Sequence, residues 1–595
     1  MSDKKNKLDI LRHSTSHVLA MAVLEMFPET KFAIGPSIED GFYYDFDLPR
    51  TLIPEDLSLL EEKMRAIIKA NYSFEKSEIS TEKALALFEK ADQPYKVEII
   101  KDLGKEPPLL NSSSSVSLYK SGSFVDLCSG PHLDSTGEIN PRAFKLLSIA
   151  GAYWRGDEKN KMLQRVYGTV FPEEEGLLDF LKMKEEAEKR DHRKLAKELE
   201  LFMISEEVGK GLPLWLPKGA YVRKKLEDYM YAEEQKRGYG FVYTPVLAHE
   251  ELYKRSGHLA HYHEDMYNPI DIEGEKYYLK PMNCPHHHMI FKNKTMSYRD
   301  LPLRLSDFSP IHRFERSGVL TGLIRARCFS QNDAHIYCAG IKQLKEEFLS
   351  VMELFRQVYK DFDISGYWFR LSLPDFNDPE KYGDIKDKEI WEEATRLIKE
   401  AMSEAEMEYK EVIGEAAFYG PKIDVQIRNV HGKEDTIATA QVDLYSSKRF
   451  NLGFIDKDGQ EKRPVILHRA IMGSFDRFFA FLVEKYAGAF PLWLAPTQIR
   501  ILPIGENHLD YARKVQQELK DNGWQAEVDD SNETVGKKIR AGEMQKIPYL
   551  LIVGDKEVEA GQVAVRQRQQ GDLGTMDAKE LMKKMDKEVK GKTIF

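Results

Sequence analysis

No apolar run in this chain is long. Phe478-Phe479-Ala480-Phe481-Leu482-Val483 is typical, and Glu484 ends it. A membrane helix needs about 18 or more consecutive apolar residues, so none is expected. Short runs broken by charge are buried only by packing helices and strands against one another. The 595 residues must therefore close several cores, about four at ~150 residues per domain. Apolar residues at 42% supply those cores and exclude disorder as the dominant state. Nor does the start read as a leader. Lys4, Lys5 and Lys7 precede Val18–Leu24, but Asp9, Arg12, His13 and His17 intervene and Glu25 interrupts. The segment reads as an amphipathic helix of a cytoplasmic protein.

Residues 1–110 begin with this helix, continue through the aromatic run Gly41-Phe42-Tyr43-Tyr44, and show amphipathic helices at 54–70 and 81–91. Asn111–Ser123 is Ser-rich and reads as a loop. Residues 124–171 are strand-like. Residues 173–203, dense in Glu, Lys and Arg, read as a solvated connecting helix. Residues 204–495 mix period-2 strands with helices. From Thr497 strands and helices alternate, with strands at 499–504, 525–528, 549–553 and 562–566 and helices at 509–522, 534–545 and from 577.

The net charge of −10 argues, taken globally, against a nucleic-acid partner. Locally the picture differs. The tail from 497 is balanced at 17 basic and 17 acidic residues, and His312–Arg327 (HRFERSGVLTGLIRAR) holds four arginines and one glutamate. Guanidinium forks match phosphate oxygens. Four cysteines without a CxxC pair cannot form a disulfide framework.

His13 and His17, four apart, share one helical face, as metal ligands or a proton-relay pair would. In Asp126-Leu127-Cys128-Ser129-Gly130-Pro131-His132 the Gly-Pro turn lets Cys128 and His132 converge. Together they suit a hydrolytic site, with or without zinc. His286-His287-His288 reads from spacing as a polar surface turn. Cys284, His335 and His468 lie too far apart in sequence for spacing alone to pair them.

The stretches RHSTSHVLA, GFYYDFDLPRT, DLCSGPH, GAYWRGDEKNKMLQRVYGT, KPMNCP, HRFERSG, QNDAHIYC, FYGPKID and HRAIMGSFDRF together resemble the threonyl-tRNA synthetases, class II aminoacyl-tRNA synthetases. The resemblance implies an α+β multidomain chain: an N-terminal α+β editing domain (1–180), a connecting helix (181–203), an antiparallel-sheet class II catalytic core (204–496) and a C-terminal α/β anticodon-binding domain (497–595). It implies a cytoplasmic homodimer that activates L-threonine with ATP and Mg²⁺, transfers it to tRNA(Thr) and hydrolyses seryl-tRNA(Thr).

The residue roles are likewise implied by resemblance. Arg313, Arg477 and His258 are catalytic. Arg313, Glu315, Arg325, Phe329 and Arg477 hold ATP, while Gln331, Asp333, Tyr419, Lys422 and Gln441 contact threonine. Cys284, His335 and His468 hold one Zn²⁺, whose open position takes the substrate's amino group and hydroxyl and so rejects valine. Serine lacks only a methyl, worth about 1–3 kcal/mol, so a second, hydrolytic site is needed. His13, His17, Tyr44, Asp126, Cys128 and His132 form it, with no zinc assigned. Asn532, Arg540, Glu557 and Arg566 read the anticodon. The sequence departs from the family pattern in lacking an N-terminal ubiquitin-like module, in His286 where glycine is frequent, and in Thr436 where glutamine is frequent.

Overall fold

Helix α1 (Ser2–Met26) is buried on nearly every side between Leu11 and Val23, not amphipathic as its sequence suggests. Its small polar residues make this affordable because they bond locally. Thr15 Oγ1 donates to the Leu11 carbonyl at 2.7 Å, and Ser16 Oγ to the Gly35 carbonyl at 2.6 Å. The computed structural model describes residues 2–103, 115–378, 382 and 388–594. Two compact units divide the chain, residues 1–185 and 186–595. No helix among the described residues is long and apolar enough to cross a membrane.

In the first unit α1 is followed by β1 (Gly41–Asp47), α2 (Pro54–Ala70), β2 (Glu75–Ser80), α3 (Thr81–Lys90), α4 (Pro94–Leu103), β3 (Ser115–Ser121), β4 (Phe124–Leu127), β5 (Phe144–Tyr153) and β6 (Met162–Val170). A five-stranded antiparallel sheet runs Lys31–Phe32, β1, β6, β5, with Ser37–Ile38 also on β1. Against it lie α1 and α2. A second sheet of three strands places β3 between β2 and β4. The loop expected at 111–123 is thus a central strand from Ser115 to Ser121; residues 111–114 lie outside the described residues. The serines masked Val116 and Leu118, which reach an apolar cluster with Ala84, Phe88 and Ile100.

The expected single connecting helix is two. Exposed α5 (Glu174–Arg190) ends before Asp191, whose carboxylate accepts the Arg193 N–H at 2.8 Å and caps α6 (His192–Leu199). Far from being solvated, α6 buries Leu195, Ala196 and Leu199 in the main core of the second unit.

That core lies under a nine-stranded sheet. The elements are α7 (Pro217–Lys236), β7 (Gly240–Phe241), α8 (Cys284–Lys292), β8 (Leu303–Asp307), β9 (Cys328–Cys338), α9 (Ile341–Asp361), β10 (Trp368–Leu373), α10 (Lys388–Glu404), β11 (Tyr409–Ile413), β12 (Lys422–Arg428), β13 (Glu434–Asp443), β14 (Val465–Ser474) and α11 (Phe475–Lys485). The strand order is β7-β8-β9-β14-β13-β12-β10-β11, with Pro310–His312 also on β9. Only β7·β8 and β10·β11 run parallel. The pleat sorts the side chains by parity. Ala334, Ile336, Leu467, Ile471, Ala438 and Ala440 enter the helix-covered core, and alternate residues such as His335, His468, Ala470 and Thr439 face the other way.

Polar residues on the helix-covered face are paired. Glu234 of α7 meets Arg469 of β14 at 2.7 Å, both fully buried. Glu234 also accepts from Asn332 Nδ2 at 2.7 Å and from Ser306 Oγ at 2.7 Å, and Arg469 lies 4.4 Å over the Tyr239 ring. Such a pair is tolerated in a core only when its remaining hydrogen-bonding capacity is used.

The tail forms its own five-stranded sheet over a separate apolar core. Its elements are β15 (Ile499–Pro503), α12 (Leu509–Asp521), β16 (Ala526–Val528), α13 (Val535–Met544), β17 (Tyr549–Val553), α14 (Asp555–Ala560), β18 (Val563–Gln567), β19 (Gly571–Met576) and α15 (Ala578–Lys590). Sequence periodicity missed α14 and β19. Both are short and exposed, so neither leaves an apolar pattern to read.

Candidate functional site

The outer face of the nine-stranded sheet carries a row of polar residues fixed by register. His335 lies opposite His468, His468 opposite Gln441, and Gln441 opposite Lys422, across β9, β14, β13 and β12. Asp333 shares the face two residues from His335, and a bulge follows Gln331. His468 and Gln441 of this row line a cavity of 680 Å³, together with Arg313, Gln331, Asp333, Tyr419 and Cys284 among others. Tyr419 donates its hydroxyl to Gln441 and stacks on His468 at 5.2 Å. Asn283 Nδ2 donates to Asp333 at 3.1 Å, and burial raises the Asp333 carboxyl from its ordinary value.

An adjoining cavity of 240 Å³ is lined by Arg313, Glu315, Arg325, Phe329, Lys422, Thr436 and Arg477. The Arg313 guanidinium lies 5.4 Å over the Phe329 ring. Arg325 Nε donates to Glu315 at 2.8 Å, so the two bind each other here. Arg477 Nε donates to the Ile324 carbonyl at 2.9 Å and a terminal nitrogen to the Thr436 carbonyl at 3.2 Å. Burial lowers the Arg477 guanidinium; Asp435 opposes this, and Arg313 and Arg325 add to it by repulsion. Three guanidiniums thus share one wall, an arrangement that suits an anion. His258 stands behind the larger cavity, its Nε2 3.3 Å from Sδ of the lining residue Met282 and its Nδ1 2.8 Å from Ser256 Oγ. Burial pushes it down to about 3, so it is neutral. Lys422 is held by Asp424 at 3.0 Å.

Cys284, at the start of α8, comes together with His335 and His468, their ligand atoms all within 4.8 Å. The donor set suits a cation. His335 Nε2 is buried without a hydrogen-bond partner, and burial raises the Cys284 thiol well above its ordinary value, so its thiolate needs a positive charge. The histidine run expected on the surface is buried instead, along α8. His287 Nδ1 lies 2.8 Å from His335 Nδ1, and its Nε2 3.6 Å from Asp307. His288 bonds the Tyr337 hydroxyl at 2.9 Å, and His468 Nε2 meets Asp443 at 2.9 Å. His335 and His468 are thus each oriented from behind by another side chain. Helical spacing hid this, because three consecutive histidines point three ways around α8.

The first unit gathers a second cluster. Cys128 Sγ lies 3.3 Å from both His13 Nε2 and His132 Nε2 and accepts the Gly130 N–H at 3.3 Å. Tyr44 donates to Asp126 at 2.6 Å, and His17 Nε2 lies 3.5 Å from the same carboxylate. Sequence reasoning missed two members. Ser14 bonds His132 Nδ1 at 3.2 Å, and buried Lys96 of α4 pairs with Asp126 at 2.5 Å. The signal for Lys96 was its place four residues before buried Ile100, a charge on the apolar stripe of a helix. Burial lowers His13, takes His132 to about 2 and His17 well below its ordinary value. It raises the Cys128 thiol to about 11. Four ligand-capable atoms here also lie within 4.8 Å of one another.

In the tail, Asn532 and Arg540 are exposed. Arg566 pairs with Glu543 at 3.2 Å, three residues along α13 from Arg540. Glu557 accepts the Gly554 N–H at 2.9 Å and caps α14. Cys338 is buried and Cys328 half-buried in β9, and neither lines the cavities described.

Family models match three stretches: the tRNA synthetase class II core domain (G, H, P, S and T) at 267–486, the anticodon binding domain at 498–588, and the threonyl and alanyl tRNA synthetase second additional domain at 116–167. A threonine–tRNA ligase from Geobacillus kaustophilus is 50% identical over 591 residues, 99% of this chain and 89% of the relative. One from Listeria monocytogenes is 50% identical over 571 residues, 96% and 87% of the two chains. Among solved structures, the RNA binding domain of a Cryptosporidium parvum threonyl-tRNA synthetase superposes with a TM-score of 0.62 at 36% identity, covering 67% of this chain and 98% of that one. A putative threonyl-tRNA synthetase from Aeropyrum pernix gives 0.59 at 29%, covering 68% and 97%.

Neutral buried histidines tie the first unit to pH. The folded unit holds His13, His17 and His132 below 6.5, whereas the unfolded chain protonates them near 6.5. Their contribution to stability is complete above that pH and is lost as pH falls below it. Hydrogen exchange of residues 8–26, corrected for intrinsic rates, should show the opening free energy falling from pH 6.5 to 5. His17→Gln with His132→Gln should flatten that slope; an unchanged slope would exclude the histidines as its source.

Proposed function

The chain belongs to the threonine–tRNA ligases, and from that membership we propose how its residues divide the work. It is an ATP-dependent aminoacyl-tRNA ligase with an editing-related N-terminal domain, and its partners include tRNA(Thr), ATP and threonine. The observation that carries the residue assignment is the row His335–His468–Gln441–Lys422 lying beside three converging arginines.

Threonine occupies the larger cavity, with Gln331, Asp333, Tyr419 and Gln441 around it and Lys422 at the boundary with the smaller one. ATP, with Mg²⁺, occupies the smaller cavity. Its adenine lies between Phe329 and Arg477, and Glu315 takes the adenine amine once Arg325 turns to the phosphates. The threonine carboxylate attacks the α-phosphorus and diphosphate leaves. Arg313 stands at the α-phosphate, where charge grows on phosphorus, and Arg477 reaches with Arg325 toward the γ-phosphate end, so the guanidiniums favour the transition state over the ground state. Ribose of the tRNA end then attacks the adenylate carbonyl and AMP leaves. His258, neutral and one side chain behind Met282, is placed to meet that ribose.

Cys284, His335 and His468 hold zinc in this reading. When bound, zinc supplies a Lewis-acid position open to the amino group and hydroxyl of threonine. His287 Nδ1 accepts a hydrogen bond from His335 Nδ1–H, with its own Nε2 3.6 Å from Asp307, and this leaves His335 Nε2 free toward the metal.

In the first unit, a thiol held near 11 is no nucleophile at neutral pH, so water attacks the seryl ester. His13, neutral and 3.3 Å from Cys128, accepts its proton, and the tRNA's terminal ribose assists. No zinc is assigned there. Asn532, Arg540, Glu557 and Arg566 read the anticodon. A homodimer forms around α7 and β7, where Tyr243 is 87% exposed and Tyr231 stacks on Phe241 at an open surface. Its four cysteines are free, which suits the cytoplasm, where we place the enzyme.

Threonine-dependent ATP–diphosphate exchange tests the synthetic assignment; better exchange with serine or proline would refute the substrate. Metal analysis should find about one zinc per chain, lost in Cys284→Ser, and His287→Ala should weaken zinc about 10–100-fold in competition with a chromophoric chelator. Full activity without zinc would refute the metal's role. His13→Ala with Cys128→Ala should leave threonylation intact while seryl-tRNA accumulates; unchanged deacylation would remove the editing assignment.

A further inference from the structure

His192 touches neither cavity, yet it joins two elements that carry the arginines. It is the first residue of α6 and is 1% exposed. Its Nδ1 lies 2.8 Å from the Glu484 carboxylate at the end of α11, the helix that bears Arg477. Its Nε2 accepts the backbone N–H of Leu323 at 3.2 Å, inside the loop that bears Arg325. An imidazole nitrogen that accepts an amide carries no proton, so the proton sits on Nδ1 and is donated to Glu484. This one ring therefore uses both nitrogens, each on a different element.

The loop is shaped to meet it. Gly322 has φ of +50°, and a Cβ there would stand 2.2 Å from His192 Nε2 and 2.9 Å from Arg193 Cγ. Only a residue without a side chain lets the backbone close on the imidazole. Beyond Leu323, which is buried, the Ile324 carbonyl accepts from Arg477 Nε, and the Arg325 N–H returns to the Thr321 carbonyl at 3.3 Å. The loop backbone from 321 to 325 is thus one short hydrogen-bonded turn with His192 at its centre. If the Leu323 amide lost its acceptor, a buried donor would be left unpaired and the turn would move. Arg325 and the anchor of Arg477 would move with it.

We propose that His192 is a positioning residue for ATP: it fixes the 321–325 turn and, through it, the geometry of Arg325 and Arg477. This rests on the assignment of the smaller cavity to ATP. It also gives α6, in a stretch read from sequence as a solvated connecting helix, a part in nucleotide binding.

The test uses the full chain and three variants that separate the two nitrogens. A Gln amide reaches the Nε2 position and can accept from Leu323, whereas an Asn amide reaches only the Nδ1 position and can meet only Glu484. His192→Ala should raise both the calorimetric Kd for ATP and its KM in exchange on the order of tenfold. The KM for threonine and the deacylation of seryl-tRNA should stay near those of the parent chain. His192→Gln should recover most of the ATP affinity and His192→Asn should not. Equal behaviour of Gln and Asn, or unchanged ATP binding in His192→Ala, would overturn the proposal. If the Ala variant does not fold, the Gln and Asn pair still decides. Calorimetry needs no turnover, so a failure of threonine as substrate would leave the comparison intact, whereas absence of ATP binding by the parent chain would defeat both readings.

Discussion

A fully buried ion pair, Glu234 with Arg469, is the constraint on which the catalytic sheet depends. It ties α7 to β14, and Asn332 brings β9 into the same network by bonding Glu234 and accepting the Ile471 N–H at 3.2 Å. Removing either charge would strand the other in a low-dielectric interior, at a cost of about 3–5 kcal/mol. The pair also fixes which way the strands face. With Asn332 and Arg469 turned toward the helices, Asp333, His335, His468 and Ala470 have no choice but the opposite side. The chemistry on the outer face is thus set by electrostatics on the inner one.

Two different solutions to buried charge serve the two units. The sheet of the second unit concentrates guanidiniums whose mutual repulsion a polyanion relieves. The cluster in the first unit keeps its histidines and its thiol neutral and confines charge to Lys96 and Asp126. One site gathers positive charge, and the other gathers uncharged donors and acceptors. Phosphate activation and ester hydrolysis make these opposite demands.

Much of this was legible in the sequence because its motifs are contiguous. HRFERSG carries its arginines in one loop, HRAIMGSFDRF carries Arg469 on β14 and Arg477 on α11, the alternating tail follows from apolar periodicity, and the class II sheet from the family resemblance of these motifs. Residues whose roles depend on pairing across the fold were hidden. Lys96 looks like any helix lysine until Asp126 arrives from thirty residues on. His286–His288 look like a polar turn because burial is decided by β8, β9 and β14 rather than by α8 itself. His192 sat in a charge-rich stretch whose composition announces solvent, and only docking of Leu195 and Leu199 brings it inside. Ser115–Ser121 was lost for the opposite reason: serines lower apolar contrast, yet a central strand needs only Val116, Leu118 and Tyr119 to be held.

The cross-strand row has a consequence for how such a chain can change. Residues aligned by pairing between strands keep their mutual distances whatever the length of the connections that join them. Between β10 and β12 the chain makes a long excursion through α10 and β11, while β12 and β13 are joined by a short turn, yet Lys422 and Gln441 stay opposite each other. Insertions and deletions can therefore accumulate between the strands without displacing the row. A single substitution within it alters one wall of the substrate cavity and leaves the rest standing. Substrate preference and loop architecture can drift independently, on a scaffold whose register neither of them sets.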